Sequence, residues 1–150
     1  MYRNKQSVDK HVANITGRIR NEKECLSRGY QFAKLYYDVK EYDIAKRYLA
    51  GFLTVQESYA PAHKLMGQIL EKLQDNEKAI AAFKCSLDID NNQKDVLLKI
   101  CELYSKSDVD PDRARYWAER AEKIFGSHPT VFRLKEKMYA GESGTKNSED

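Results

Sequence analysis

The chain has 150 residues, 41% of them hydrophobic and 33% charged, which suits one modest core built from elements that each keep one wet face. No stretch approaches the roughly 18 apolar residues of a membrane span, and the opening MYRNKQSVDK has no apolar run, so neither membrane insertion nor a signal peptide is expected. The formal net charge of +3 is unevenly spread: residues 1–50 carry eleven Lys/Arg against six Asp/Glu, and residues 51–90 four against six. An anion-facing surface is therefore expected in the first third.

In chain order, Ser7 can N-cap a helix whose Val8, Val12, Ile15 and Ile19 recur at helical spacing. Gly29, Phe32, Ala33 and Tyr36 form the next apolar stripe, followed by one on Tyr42, Ala45 and Leu49. His63, Met66, Gly67 and Leu70 precede Ala79 and Phe83. Leu97, Ile100, Cys101 and Tyr104 precede a turn, SKSDVDPD, in which Asp110 and Pro111 read as N-cap and first helical residue. Ala114, Ala118 and Ala121 line the helix that follows, and Trp117 is expected between layers. Past Gly126 and Pro129, Val131, Phe132, Leu134 and Met138 predict a last amphipathic helix over 129–139, and residues 140–150 read as a flexible tail.

These stripes repeat. Ala45 to Ala79 is 34 residues and Ala79 to Ala114 is 35, while Ala33, Gly67 and Cys101 recur every 34. A 34-residue period of paired helices is that of the tetratricopeptide repeat (TPR), in which small residues mark where helices A and B of a hairpin cross. The predicted fold is all-α, a right-handed solenoid of three TPR hairpins (about 26–59, 60–93 and 94–128). A flanking helix precedes them and a capping helix follows, forming one domain over 7–139.

No nucleotide-binding glycine loop or nucleophile elbow is present, and His11, His63 and His128 are dispersed, so neither catalysis nor a metal or cofactor is expected. Cys25, Cys85 and Cys101 are odd in number and far apart, which predicts reduced thiols without a disulfide, Cys101 lying in an apolar run. Function then falls to surface. The concave face lined by helix A is expected to present Tyr30, Lys34 and Tyr37, then Lys64, Gln68 and Lys72, then Glu102 and Lys106. Co-chaperone TPR domains grip an acidic carboxy-terminal peptide with Lys, Asn and Arg. The matching slots here hold Tyr30, Lys34, Leu65, Asp95 and Lys99, so chaperone-tail binding is excluded. A second surface, weak and sequence-independent toward single-stranded RNA, would use Arg18, Arg20, Lys23, Arg28, Lys34, Lys40, Lys46 and Arg47 interleaved with Tyr30, Tyr36, Tyr37 and Tyr48. Tyr36 and Tyr48 also read as core, which weakens the stacking half of that idea.

The run GYQFAKLYYDVKEYDIAKRYL (Gly29 to Leu49) resembles the amino-terminal TPR domain of the giant Ran-binding nucleoporins. VQES, AHKLMG, QKDVLLKICEL and RARYWAERAEKIF carry the likeness further along the chain. The resemblance implies an all-helical, non-catalytic interaction or scaffold module at the cytoplasmic face of the nuclear pore, monomeric by itself. It would act in nucleocytoplasmic transport and mRNA export by binding other nucleoporins or transport factors. The SUMO-ligase activity of that family lies outside these residues.

Overall fold

A computed structural model of the chain describes residues 1–107 and 110–143. Among these residues the secondary structure is entirely helical: α1 (Lys5–Thr16), α2 (Glu22–Ser27), α3 (Gly29–Asp38), α4 (Tyr42–Val55), α5 (Ala60–Lys72), α6 (Asn76–Ile89), α7 (Lys94–Lys106), α8 (Pro111–Phe125) and α9 (Pro129–Ser143). None of them is long and apolar enough to cross a membrane. The chain divides into two compact units, Met1–Asp90 and Asn91–Asp150.

In the first unit α3/α4 and α5/α6 are the first two predicted hairpins. Each is closed by a residue in the left-handed region, Lys40 (φ 64) and Gln74 (φ 63), spaced by the repeat period. At each turn a backbone N–H reaches back over the last helical turn, Glu41 to Tyr36 and Asp75 to Leu70, both 2.9 Å. These bonds satisfy carbonyls that the helix end would leave orphaned. Where the helices cross, a side chain on helix A has no room. A Cβ on Gly29 would stand 2.4 Å from the Tyr48 carbonyl oxygen, and one on Gly67 2.6 Å from the Phe83 ring. Ala33, Ala45 and Ala79 are fully buried, as the spacing predicts. Ser86 is the buried polar residue of this unit among the described residues, and its hydroxyl donates to the Ala60 carbonyl at 2.9 Å.

The amino-terminal end departs from expectation in three ways. α1 starts at Lys5, not after Ser7. Asn4 is the N-cap, and Ser7, three residues in, completes a reciprocal capping box with it. α1 stops at Thr16, so Ile19 continues no helical stripe; the Thr16 hydroxyl bonds back to the Val12 carbonyl (2.9 Å), and Arg18 and Ile19 turn away. A further helix, α2, precedes the first hairpin. Its six residues (EKECLS) hold no apolar period, but Asn21 caps Glu24 N–H at 2.7 Å and two glutamates sit in its first turn. Leu26 of α2 rests against Gly51 of α4. α1 packs on the core through Val8 and Val12, and the buried Tyr36 donates its hydroxyl to Asp9 at 2.6 Å.

In the second unit α7/α8 form the third hairpin. Asp110 and Pro111 open α8 as predicted; Asp108 and Val109, within the SKSDVDPD turn, lie outside the described residues. Cys101 and Trp117 meet at the crossing, where the thiol points to the Trp117 carbonyl at 3.6 Å, and both are buried. α9 docks through Val131 and Leu134, and Lys137 donates to the Ser107 carbonyl at 2.7 Å. Phe132 does not share their face. It is 59% exposed, because at 100° per residue it is turned away from Val131 and Leu134. α9 also runs on to Ser143, so residues 140–143 of the expected tail are helical, and residues 144–150 lie outside the described residues.

Candidate interaction surface

The outward stripe of α3 consists of exposed Gln31, Lys34 and Asp38, flanked by half-buried Tyr30 and Tyr37. Tyr30 is not a loose surface ring. It packs against Phe52 (centroids 5.7 Å) and edge-on against Tyr59 (5.3 Å), and the Lys34 ammonium sits 5.8 Å from its centroid. Burial, then the neighbouring Tyr59, push its phenol above the ordinary tyrosine value. Tyr37 makes an edge contact with Tyr42 at 5.5 Å. α5 supplies half-buried Lys64 and Gln68 and exposed Lys72, and its Leu65 and Ile69 share one core with Phe32, Ala33 and Tyr36 of α3. Six of the eight expected groove residues thus lie on two helices of one unit. Glu102 and Lys106 belong to α7 in the other unit. There Glu102 pairs with Lys106 and, at 3.1 Å, with Lys99. Lys106 above all, and then Lys99, hold its carboxyl below the usual glutamate range.

The eight basic residues expected to form an anion patch do not share one environment. Lys34 belongs to the α3 stripe with Tyr30, and Lys40 sits in the left-handed α3–α4 turn. Lys46 is half-buried and near Asp75, whose carboxyl is held low by Lys78 first and by Lys46 among lesser causes. Arg47 is exposed four residues before Gly51, hence on the face of α4 that receives Leu26 of α2. Arg18, Arg20, Lys23 and Arg28 are all exposed along the approach to α2 and its end. None of these four has an ion-pair partner among the described residues. The contact of Leu26 with Gly51 brings α2 against the face of α4 that carries Arg47, while Lys34 and Lys46 have other neighbours. Of the tyrosines offered for base stacking, Tyr36 is buried and Tyr48 lies flat against it (5.5 Å, 7°). The α2 contact was not readable in the sequence, since a six-residue helix shows too little period to place.

No family model matches the chain. Among curated proteins it is 40% identical over 146 residues to human RANBP2-like and GRIP domain-containing protein 8, covering 96% of this chain and 8% of that protein. It is 39% identical over 146 residues to human E3 SUMO-protein ligase RanBP2, covering 96% and 4%. It thus spans under a tenth of the length of these relatives. Among solved structures, MamA superposes with a TM-score of 0.72 at 17% identity, over 95% of this chain and 87% of that one. The Yersinia enterocolitica type III secretion translocator chaperone SycD gives 0.60 at 12% identity, over 87% and 91%. At such identities these structures show the fold alone, a TPR-like helical repeat. The identity of about 40% across nearly the whole chain shows more: the chain is homologous to a segment of RanBP2 and the RANBP2-like proteins, in keeping with the resemblance of Gly29–Leu49 to that family.

Proposed function

We propose that the chain is a non-catalytic interaction module of a RanBP2-type nuclear pore protein, acting at the cytoplasmic face in nucleocytoplasmic transport and mRNA export. The outward stripes of α3 and α5 receive a nucleoporin or transport factor. The observation that carries this reading is the α3 stripe itself: a tyrosine fixed by two other rings, with a lysine over its face, gives rigid contact area at low entropic cost. Lys34 and Lys72 are both exposed, so Lys34→Glu with Lys72→Glu changes the surface and leaves the core intact. The tagged chain should concentrate at the nuclear rim and lose that enrichment in the double reversal. Retention by the variant would exclude the stripe as the contact, and a wild-type chain spread evenly through the cell would exclude the reading.

Single-stranded RNA is the second reading, favoured by four exposed cations without an ion-pair partner among the described residues, Arg18, Arg20, Lys23 and Arg28, clustered in sequence around α2. Such binding is weak, indifferent to sequence and salt-dependent, with a slope of log K against log salt of about −0.7 per phosphate neutralised. Reversing these four to glutamate should remove it, whereas Lys135→Glu and Lys137→Glu should not. Unchanged titration of labelled RNA by the four-residue variant would leave only the protein-binding reading.

A further inference from the structure

The small-residue position of helix A holds Ala33, Gly67 and Cys101. With the one-residue insertion before α8 counted, the same position in α9 is Glu136, and the position of Tyr36, Leu70 and Tyr104 is Tyr139. In the three hairpins these slots are covered by helix B: Tyr36, Leu70 and Tyr104 are at most 5% exposed. In α9 they are open. Tyr139 is 58% and Phe132 59% exposed, with exposed Glu136 between them on the same face. α9 is nevertheless firmly docked on its other side, through Val131 and Leu134. Beside the open face lies a cavity of about 600 Å³ between the end of α8, the Gly126–Ser127 turn and α9. Lys135 is committed to both carboxylate oxygens of Glu122 on α8, at 2.8 Å each. Glu136 has no ion-pair partner among the described residues.

We propose that this face of α9 is a docking site for an amphipathic helix of a partner protein, one whose apolar stripe straddles Phe132 and Tyr139 and whose middle carries a lysine or arginine opposite Glu136. The two rings are seven residues apart, two turns and roughly 10 Å along the helix, which is the spacing of anchors in helix-in-groove recognition. Charge selects the occupant. A carboxylate covered by another helix must be paired, so a purely apolar helix is disfavoured. A second copy laid antiparallel about Glu136 would set two carboxylates face to face. A further TPR helix B of this chain's type needs a small residue at the crossing, and Glu136 prevents that close approach. A cationic helix at the ordinary interaxial spacing of about 8–10 Å meets each of these conditions. The site shares no residue with the α3 and α5 stripes, so loss of either surface leaves the other testable.

The probe is a fluorescein-labelled, lactam-stapled peptide of about 15 residues, long enough to hold a helix when stapled, with leucines along one face and one central lysine. Fluorescence anisotropy with the whole 150-residue chain should show saturable binding. Glu136→Lys should weaken it about tenfold, and a glutamate-bearing peptide should recover most of that loss on the same variant. Phe132→Ala with Tyr139→Ala should weaken it at least tenfold. All three residues are exposed, so circular dichroism of each variant should match the wild type. No saturable binding, binding indifferent to the charge reversal, or a wild-type dimer by sedimentation that Phe132→Ala dissolves would each overturn the proposal.

Discussion

Gly67→Ala tests the close crossing on which the repeat rests. The added Cβ would meet three atoms of the Phe83 ring at 2.6, 2.6 and 2.8 Å, whereas carbon atoms rest at about 3.5–4.0 Å, so roughly 1 Å of relief is needed. Phe83 is 1% exposed and cannot swing toward solvent. Forcing extra carbon into such packing costs about 1–3 kcal/mol. Alanine in a helix interior returns about 0.8–1.0 kcal/mol over glycine, leaving a net loss centred near about 1 kcal/mol. Because that range touches zero, the decisive measurement is a cycle with Phe83→Ala, which removes all three of the ring atoms that the added Cβ would meet. In that background Gly67→Ala should stabilise by up to about 1 kcal/mol, giving a coupling of about 1–3 kcal/mol. Urea titration followed by circular dichroism at 222 nm reads these values, since about 1 kcal/mol moves the midpoint by roughly 0.3–1 M. If Gly67→Ala raises stability equally with Phe83 and with Ala at 83, the crossing is not close and the reasoning fails.

All three thiols should be found free by reaction with a disulfide reagent. Exposed Cys85 should react first with a disulfide reagent, half-buried Cys25 later and Cys101 only on unfolding, and a two-proton mass deficit in the native protein would contradict this. Burial pushes the Cys101 thiol from 9.0 up to about 12, so its neutral form is favoured in the fold. Its contribution is present below pH 9 and lost as pH rises toward 12; Cys101→Ala should flatten that alkaline decline in stability. Gln74→Gly relieves a left-handed non-glycine residue and should stabilise by up to about 1 kcal/mol in thermal unfolding. Tyr36→Phe removes the hydroxyl that holds Asp9 and should speed amide hydrogen exchange in α1 while leaving α5 and α6 unchanged. The Asp9 carboxyl is held below its usual value by Lys5 first and Tyr36 second. The stability from the ionised Asp9 is therefore present above the ordinary aspartate range and lost as pH falls through the lowered folded value, and Tyr36→Phe should remove the Tyr36 share of that acid-side decline.

The hairpins were legible because they rest on local spacing. A small residue every 34 and an alanine early in each helix B report the crossing directly, and Ala33, Ala45 and Ala79 are all fully buried. The amino-terminal boundaries were less legible because capping competes there. Asn4 and Ser7 both suit an N-cap, and only the backbone decides that Ser7 answers from inside the helix. α2 escaped the pattern because its position depends on Leu26 seating on Gly51, a contact between residues 25 apart in sequence. Which cations share a surface was not legible for the same reason: it depends on where α2 lies, and the eight have different neighbours, Lys34 the Tyr30 ring and Lys46 the more distant charge of Asp75. Phe132 was read with the core because it neighbours Val131 and Leu134 in an apolar run, although its angle on the helix separates it from both.

One position along the repeat explains both the regularity of the hairpins and the open face at α9. With Ala33, Gly67 or Cys101 in that slot, the next helix of the chain can approach closely, and the ring or backbone opposite fills the space. Glu136 replaces the small residue with one that is long, charged and costly to cover unpaired. A helix in this register but with this residue therefore cannot be approached as closely at that slot, and it keeps two aromatic side chains beside it. The same residue that departs from the small-residue pattern sets the chemistry of whatever can lie on α9. Glu136→Ala should accordingly raise the affinity of a purely apolar stapled helix for this face while lowering that of the lysine-bearing one. Equal affinities for the two peptides on the variant and on the wild type would show that the slot does not select by charge.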